Sequence, residues 1–194
     1  FNLYLYKYGG VAGNPGKTYF DNDGNSYTGY TKGDKMAGMP LYYHKVTKAE
    51  AEAKKFGGAA EGTDILTTDY SIASRYEMGD AIPDWYGGFN FNVRYKNFDL
   101  TMFWQGVADV DVYNNQKFQT DFWSITDAGS NKGSRLLGAW TTGNTGSTIP
   151  ALTTNNTADE GRVSSYFVEN GSYLKLRTLQ LGYSLPASLL KKLL

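Results

Sequence analysis

Two long stretches of alternating polar and apolar residues restrict the fold more than any other feature of the sequence. In WYGGFNFNVRY, residues 85–95, the odd positions are apolar or glycine, and the even positions from 90 onward are polar. After Lys96 and Asn97 the alternation resumes in FDLTMFWQGVADVDV, residues 98–112. A period of two is the signature of a β-strand with two different faces. The pattern predicts a β-hairpin over residues 85–112, with Asn97 in the left-handed conformation of a tight turn.

The length of these strands favours a membrane β-barrel over a soluble sheet. Strands of soluble proteins typically have about 5 or 6 residues, whereas these have about 11 and 15. Trp85 and Tyr95 end the apolar face ten residues apart, about 33 Å along a strand that rises roughly 3.3 Å per residue. A tilt of about 40° projects this length to about 25 Å, the height of the apolar band of an outer-membrane barrel. Alternation by itself leaves a large soluble sheet as the alternative.

Long segments of a different character flank the hairpin. Residues 9–84 are irregular and rich in turn signals, with a helix-capping box at residues 47–50, and residues 113–172 are rich in Asn, Gly, Ser and Thr. Short turns at one end of the strands and long loops at the other are typical of outer-membrane barrels. We therefore predict that both long segments are extracellular loops and that the turn at Lys96 lies in the periplasm.

A third long strand is predicted at residues 173–185, followed by a periplasmic turn at residues 186–194. With a weak candidate at residues 1–8, the sequence offers about four strands, whereas the smallest barrels need about eight. The predicted fold class is all-β. Residues 1–194 are expected to form part of one transmembrane antiparallel β-barrel domain and to be too few to close it alone.

The leucines of the third strand change phase, lying at even positions before residue 177 and at odd positions after it. In a regular strand the face of the later leucines would also carry Arg177, and a lipid-facing Arg near the membrane centre costs about 2–4 kcal/mol. A β-bulge at Arg177–Thr178 removes the conflict, because one extra residue exchanges the two faces. It would direct all four leucines to lipid and turn Lys175 and Arg177 to the lumen. The alternative is that residues 173–177 stand above the membrane.

Composition excludes several classes of function. The chain has no cysteine and a single histidine, His44, which excludes a cysteine nucleophile and a metal site built from Cys and His ligands. Lys and Arg together equal Asp and Glu together at 19 each, so no net charge attracts nucleic acid. We expect no cofactor, no metal site and no nucleic-acid partner.

Motifs that suggest an enzyme have simpler explanations. GNPGKT at residues 13–18 resembles the end of a phosphate-binding loop, but Val11 occupies the position of its first glycine. DNDGN at residues 21–25 predicts a β-turn rather than a calcium loop, because its glycine comes too early. We predict no catalytic residue.

Two aspartate pairs, Asp80 with Asp84 and Asp109 with Asp111, are interpreted as solvated carboxylates rather than as the acid and nucleophile of a glycosidase. Other side chains are candidates for lumen or substrate contacts: Asn90, Asn92, Arg94, Thr101, Gln105, Trp123 and Trp140. The first five are polar groups of the hairpin that can hydrogen-bond water or passing hydroxyls. The two tryptophans either stack on sugar rings or pack the core of the second loop.

Two blocks of the sequence resemble the C-terminal barrel region of the SusC/RagA family of TonB-dependent outer-membrane transporters. GDAIPDWYGGFNFNVRYKNFDLTMFWQG, residues 79–106, has the family's Gly, Pro and Gly-Gly before a strand and then its Tyr-Lys-x-Phe-Asp-Leu hairpin. SYLKLRTLQLGYSLP, residues 172–186, matches the family's Ser-Tyr-Leu-Arg-Leu-x-x-Leu-x-Leu-Gly-Tyr-x-x-Pro, with Lys175 in place of the first Arg. A weaker likeness covers residues 6–24.

The resemblance implies a barrel of about 22 strands in the outer membrane of a Gram-negative bacterium, in contact with lipid. It implies the energised import of a large nutrient, an oligosaccharide or a peptide, beneath a SusD-like surface lipoprotein that acts as a lid. It also implies that TonB acts through an N-terminal part absent from this sequence, so that the chain is expected to be an internal piece of a longer transporter and not an enzyme. A soluble carbohydrate-binding β-sandwich or a glycoside hydrolase domain is the alternative.

Overall fold

The computed structural model describes residues 2–122, 131–153 and 161–186. Most regular structure in this part of the chain is β-structure, in agreement with the predicted all-β class. The strands are β1 (Asn2–Tyr6), β2 (Tyr8–Val11), β3 (Thr18–Phe20), β4 (Ser26–Thr28), β5 (Pro40–Lys45), β6 (Asp64–Thr67), β7 (Arg75–Asp80), β8 (Trp85–Tyr95), β9 (Phe98–Ala108), β10 (Asp111–Tyr113), β11 (Val168–Asn170) and β12 (Tyr173–Tyr183). The helices are α1 (Lys48–Glu52), α2 (Lys55–Gly58) and α3 (Gln116–Thr120), with 3₁₀ turns at Ser134–Gly138 and Ser165–Phe167. None of the helices in the described ranges is long and apolar enough to cross a membrane.

The chain divides into two compact units. The first, which we call the packed unit, contains residues 2–78 and 113–168. The second contains residues 79–112 and the chain from residue 169 onward. Its main element is a three-stranded sheet in the order β12-β9-β8, which we call the long-strand sheet.

The packed unit is built around a five-stranded sheet in the order β2-β5-β6-β3-β4. Its strands pair antiparallel, except that β3 and β6 are parallel. The prediction that residues 9–84 are irregular is therefore wrong. These strands have only three to six residues, and the longest, PLYYHK, is buried at four of its six positions. Strands that are so short, or buried on both faces, leave no alternating pattern in the sequence.

Burial of apolar side chains holds the packed unit together. Its buried clusters are Ala12 with Tyr19 and Leu41, Val46 with Phe56 and Ile65, and Leu136 with Ala139 and Ile149. Phe167 is fully buried, and the rings of Tyr113, Phe118 and Phe122 have centroids 5.6, 6.2 and 5.8 Å from its own. Clusters of this kind identify the hydrophobic core of a domain.

The capping box predicted at residues 47–50 is present at the start of α1. A carboxylate oxygen of Glu50 accepts hydrogen bonds from the Thr47 N–H at 2.9 Å, the Thr47 hydroxyl at 2.7 Å and Nε2 of the buried His44 at 2.9 Å. Nδ1 of His44 donates to the Ile72 carbonyl at 2.6 Å. Burial raises the pKa of Glu50, but the hydrogen bonds from Thr47 and His44 outweigh it and lower the pKa to about 2.

The long-strand sheet contains the predicted hairpin. β8 and β9 pair antiparallel from Tyr95 and Phe98 beside the turn to Trp85 and Ala108 at the open end. The turn differs from the prediction in one respect, because the positive φ of 53° lies at Lys96, and Asn97 is not among the residues with positive φ. Both favoured two-residue hairpin turns require a positive φ at their first residue, which here is Lys96.

β9 ends at Ala108, earlier than the alternation to residue 112 predicts. Asp109 has a φ of 54°, and its N–H donates to the Ser172 hydroxyl at 3.1 Å. The following strand, β10, pairs with β11 in a separate two-stranded sheet. The left-handed residue interrupts the strand even though the apolar period continues, so Asp109 and Asp111 do not lie on one strand as predicted.

Candidate functional site

The register of the long-strand sheet gathers its large apolar side chains on one surface, which we call the apolar face. Three rows run across the strands: Phe89 with Trp104 and Leu176, Phe91 with Met102 and Leu179, and Val93 with Leu100 and Leu181. The apolar face is uncovered, since Phe89 is 58% exposed, Leu179 63% and Leu181 72%. Soluble monomers rarely expose a continuous apolar surface of this kind. The large apolar side chains of the alternating pattern in the hairpin all lie on it: Phe89, Phe91, Val93, Leu100, Met102 and Trp104.

Aromatic rings mark both ends of the apolar face. At the turn end, Tyr95 opposes Phe98 and Phe98 opposes Tyr183, with the latter two ring centroids 4.6 Å apart. At the open end, the Trp85 indole lies over a pair of glycines. A Cβ atom at Gly87 would come within 2.8 Å of this ring, and one at Gly106 within 3.1 Å. The glycines therefore provide the space in which Trp85 lies flat against the sheet.

The opposite surface, which we call the polar face, contains the five predicted hairpin contacts. Asn92 opposes Thr101, and Arg94 opposes Asp99, while Asn90 opposes Phe103. β12 extends this face, because Thr101 pairs with Gln180 and Gln105 pairs with Lys175. All five predicted side chains, Asn90, Asn92, Arg94, Thr101 and Gln105, thus share one surface. Gln180 is an additional polar member, which could have been identified from its place between Leu179 and Leu181.

The predicted bulge in β12 is present at Arg177. Leu176 pairs with Trp104 and Thr178 with Phe103, so consecutive residues of β9 face residues of β12 that are two apart. Arg177 is the extra residue. Its Nε donates to Oε1 of Gln105 at 3.0 Å, so the guanidinium lies on the polar face. The leucines on both sides of the bulge share the apolar face, which explains the change of phase in the sequence.

Of the two tryptophans predicted either to stack on a sugar or to pack a core, the structure describes one. Trp123 lies outside the described residues. Trp140 is only 6% exposed, its ring centroid is 5.6 Å from that of Tyr30, and a Cβ atom at Gly13 would be 3.0 Å from its ring. This environment favours core packing over stacking on a sugar.

The structure brings the two aspartate pairs together, which the sequence did not predict. Asp80, Asp84, Asp109 and Asp111 line one pocket of ≈ 350 Å³, together with Asn170. The left-handed turn at Asp109 produces this grouping, and no pattern in the sequence indicates that turn. In the described ranges, no group of three or more His, Cys, Asp or Glu residues could hold a metal ion.

Three proteins similar to this chain are all TonB-dependent receptors. No family model matches the chain. TonB-dependent receptor P3 of Formosa agariphila is 34% identical over 124 residues, which cover 64% of this chain and 12% of the relative. TonB-dependent receptor P26 of the same organism is 29% identical over 125 residues, again 64% of this chain and 12% of the relative. TonB-dependent receptor P39, also from Formosa agariphila, is 25% identical over 205 residues, covering 99% of this chain and 19% of the relative.

The fold has a counterpart among solved structures. A chain of the RagAB peptide importer in the closed-closed state superposes with a TM-score of 0.63 and 22% identity, covering 97% of this chain and 17% of that one. The chain thus spans a small part, 12% to 19%, of the length of the relatives it matches. The resemblance drawn from the two sequence blocks, the fold class of a partial barrel and the outer-membrane location are confirmed.

Proposed function

We propose that this chain belongs to the SusC/RagA family of TonB-dependent outer-membrane transporters, which it resembles, and forms part of the barrel wall and of the extracellular loops of an importer of large nutrients. The cargo would be an oligosaccharide or a peptide. A SusD-like lipoprotein would cover the loops, and TonB would act through a part of the receptor outside this sequence.

The single observation that carries the proposal is the contrast between the two faces of the long-strand sheet. One face is apolar, exposed and bordered by aromatic rings, and the other carries Asn92, Thr101, Gln105 and Arg177. A barrel wall requires this arrangement, because one face contacts lipid and the other lines a wet lumen. In a soluble carbohydrate-binding sandwich, a second sheet would cover the apolar face, but Phe89 and Leu181 are exposed.

On the polar face, the side chains have the chemistry of a wet channel lining rather than of a catalytic centre. Amides at Asn90, Asn92 and Gln105 both donate and accept hydrogen bonds, and Arg94 adds donors. Such groups can exchange partners with water or with the hydroxyl and amide groups of a passing solute. We assign them to the lumen and expect each to contribute a transient contact.

For the topology, we assign the Lys96–Asn97 turn to the periplasm and residues 9–84 and 113–172 to the cell exterior. The test is an epitope inserted after Gly143, which lies in an exposed part of the chain, in the intact receptor. Antibody should label intact cells. The matched insertion between Lys96 and Asn97 should be labelled only after the outer membrane is permeabilised. Labelling of the second insertion alone on intact cells would reverse the topology, and labelling of neither in a folded receptor would contradict it.

The transport role has its own test. A strain that lacks the receptor should lose growth on a subset of oligosaccharides or peptides supplied as the only carbon source, and a SusD-like lipoprotein should co-purify with the tagged receptor in detergent. Unchanged growth on every tested oligosaccharide and peptide, together with purification of the receptor alone, would contradict the proposal.

A further inference from the structure

A pocket of ≈ 430 Å³ opens on the packed unit beside the edge strand β2. Lys7, Tyr8 and Lys17 line it from one part of the sequence, Tyr43 from a second and Tyr166 from a third. No local pattern in the sequence indicates this group, because its members lie far apart along the chain. None of the described residues that line the pocket is acidic.

The ammonium group of Lys17 is fixed in position rather than free in solvent. Its Nζ donates to the carbonyl oxygen of Gly9. The end of the side chain, from Cδ to Nζ, lies over Gly10, whose φ of 104° and lack of a Cβ atom leave the necessary space. A lysine held in this way has already lost much of its conformational freedom, so that binding an anion costs less entropy.

Lys7 is held by aromatic rings. Its Nζ lies 4.3 Å from the centroid of the Tyr43 ring and 5.7 Å from that of Tyr76, both within the range of cation–π attraction. Among the ion pairs of the described residues, none involves Lys7 or Lys17. Two ordered cations that form no ion pair within the described part of the chain give the pocket a positive potential that favours an anionic ligand.

Backbone N–H and C=O groups around the pocket already form hydrogen bonds within the protein, which argues against capture of a peptide by strand addition. Gly10 and Val11 pair with β5, the N–H of Tyr8 donates to the Ser165 hydroxyl at 2.9 Å, and the Gly9 carbonyl accepts from Lys17. Peptide recognition at a sheet edge depends on free main-chain groups. Recognition here depends on side-chain cations and rings instead.

The tyrosines place aromatic and hydroxyl groups in the same pocket as the two cations. The ring centroids of Tyr8 and Tyr166 lie 5.2 Å apart in an edge-to-face arrangement, and the Tyr8 hydroxyl donates to the Thr148 carbonyl at 2.8 Å. The Tyr8 hydroxyl oxygen can still accept a hydrogen bond from a sugar hydroxyl. The pocket volume lies within the usual range for small-molecule sites, about 300–1,000 Å³.

We propose that this pocket binds an acidic oligosaccharide, with Lys7 and Lys17 contacting its carboxylate or sulfate group and the tyrosines contacting its ring. The inference rests on the proposed import function and specifies the class of cargo, one that carries anionic sugars. Lysine acts as a compact point charge, so the pocket does not distinguish the two anionic groups by geometry.

The test measures binding by isothermal titration calorimetry to the intact receptor in detergent. The probes are trigalacturonate, a sulfated galactose trisaccharide, the neutral galactose trisaccharide and triglutamate. At least one acidic sugar should bind at least about tenfold more tightly than the neutral one, with an affinity that falls as salt rises. The paired variant Lys7→Gln/Lys17→Gln should lose at least about tenfold in affinity for it. Lys17→Arg, which keeps the charge, should lose less, and Lys48→Gln, at a lysine 75% exposed outside the pocket, should have no effect.

Several results would overturn the inference. They are equal binding of acidic and neutral sugars, binding of neither acidic sugar, tighter binding of triglutamate, and full affinity in the paired variant. Hydrogen exchange of the packed unit, unchanged in the paired variant, would show that lost binding is not lost folding. If the strain that lacks the receptor loses growth as proposed, any of these binding results refutes the pocket alone. If growth is unchanged and no lipoprotein co-purifies, the import function is refuted whatever the binding result.

Discussion

Large apolar side chains are buried in the packed unit but exposed in the long-strand sheet. Every buried hydrophobic side chain identified in the described residues belongs to the packed unit, among them Tyr19, Leu41 and Phe167. In the long-strand sheet, Phe89, Leu179 and comparable side chains are exposed. One chain therefore contains a unit that buries its apolar side chains and a sheet with an exposed apolar face compatible with lipid. Aromatic composition, high throughout the sequence, does not distinguish them, whereas the position of each ring in its strand does.

The comparison teaches that an exposed apolar face is not a defect of the long-strand sheet. In water, hydrophobic stabilisation comes from removing apolar area from solvent, at about 25 cal/mol per Å². In the outer membrane the same side chains gain this free energy by contact with lipid and need no covering sheet. Loss of a large side chain should therefore affect the two regions differently.

The largest effect is expected in the core of the packed unit. Phe167→Ala removes a fully buried ring and leaves a cavity among Tyr113, Phe118 and Phe122. We expect it to lower the free energy of unfolding of this unit by about 3–5 kcal/mol. Hydrogen exchange of β5 and β6 peptides in the intact receptor measures the change. The control is Phe91→Ala on the apolar face, which should leave exchange in the packed unit unchanged. Equal loss of protection in both variants would contradict the division into two regions.

A charge on the apolar face should give the next largest effect. Leu179→Arg places a guanidinium in lipid near the middle of the strand and should destabilise the barrel by about 2–4 kcal/mol. Gln180→Arg is the matched control, since Gln180 lies on the polar face. The readout is equilibrium unfolding in urea, followed as heat-modifiable migration of the intact receptor on gels. A larger loss from Gln180→Arg would mean that the two faces have been assigned the wrong way round.

A smaller effect is expected from pH, and only in the packed unit. The pKa of Glu50 is lowered to about 2 from an ordinary value of 4.5. Its interactions with Thr47 and His44 therefore stabilise the folded state above pH 4.5, and this contribution is lost as pH falls from 4.5 towards 2. Pepsin, which is active in this interval, should cut the intact receptor within residues 40–67 increasingly as pH falls. The Glu50→Gln variant should already be cut near pH 4.5, and the extent of its cleavage should change less between pH 4.5 and 2. Identical pH profiles for both proteins would exclude the carboxylate as the cause.

The smallest effect is expected from deleting Arg177. Leu176 and Thr178 already pair with adjacent residues of β9, so removing the bulged residue should leave every other side chain on its present face. Yield of folded receptor should change little. Deletion of Gln180, within the regular part of β12, should shift the register and abolish folding, because a slip of one residue exchanges the faces. Loss of folding on deletion of Arg177 would contradict the bulge.

The sequence predicted the long-strand sheet well and the packed unit poorly, for one physical reason. In β8, β9 and β12 the two faces meet different surroundings over eleven residues each, which imposes a clear period of two. The Arg177 bulge was predictable because, within a single membrane crossing, an extra residue reconciles a charged side chain with the leucines beside it. The strands of the packed unit are short, and PLYYHK is mostly buried, so burial leaves a nearly continuous apolar run. The left-handed Asp109 and the pocket of Lys7 and Lys17 depend on contacts between distant segments, which no local pattern encodes.

The most direct measurement of the central claim is a nitroxide scan of β12, residue by residue from 174 to 181, in the intact receptor reconstituted in lipid. Oxygen, which concentrates in lipid, and a water-soluble nickel complex report which surface each label meets. We predict high oxygen accessibility at positions 174, 176, 179 and 181 and high nickel accessibility at 175, 177, 178 and 180, with the phase changing at Arg177. Unbroken alternation through 177, or nickel accessibility at all four leucines, would contradict a lipid-facing sheet with a bulge that turns Arg177 to the lumen.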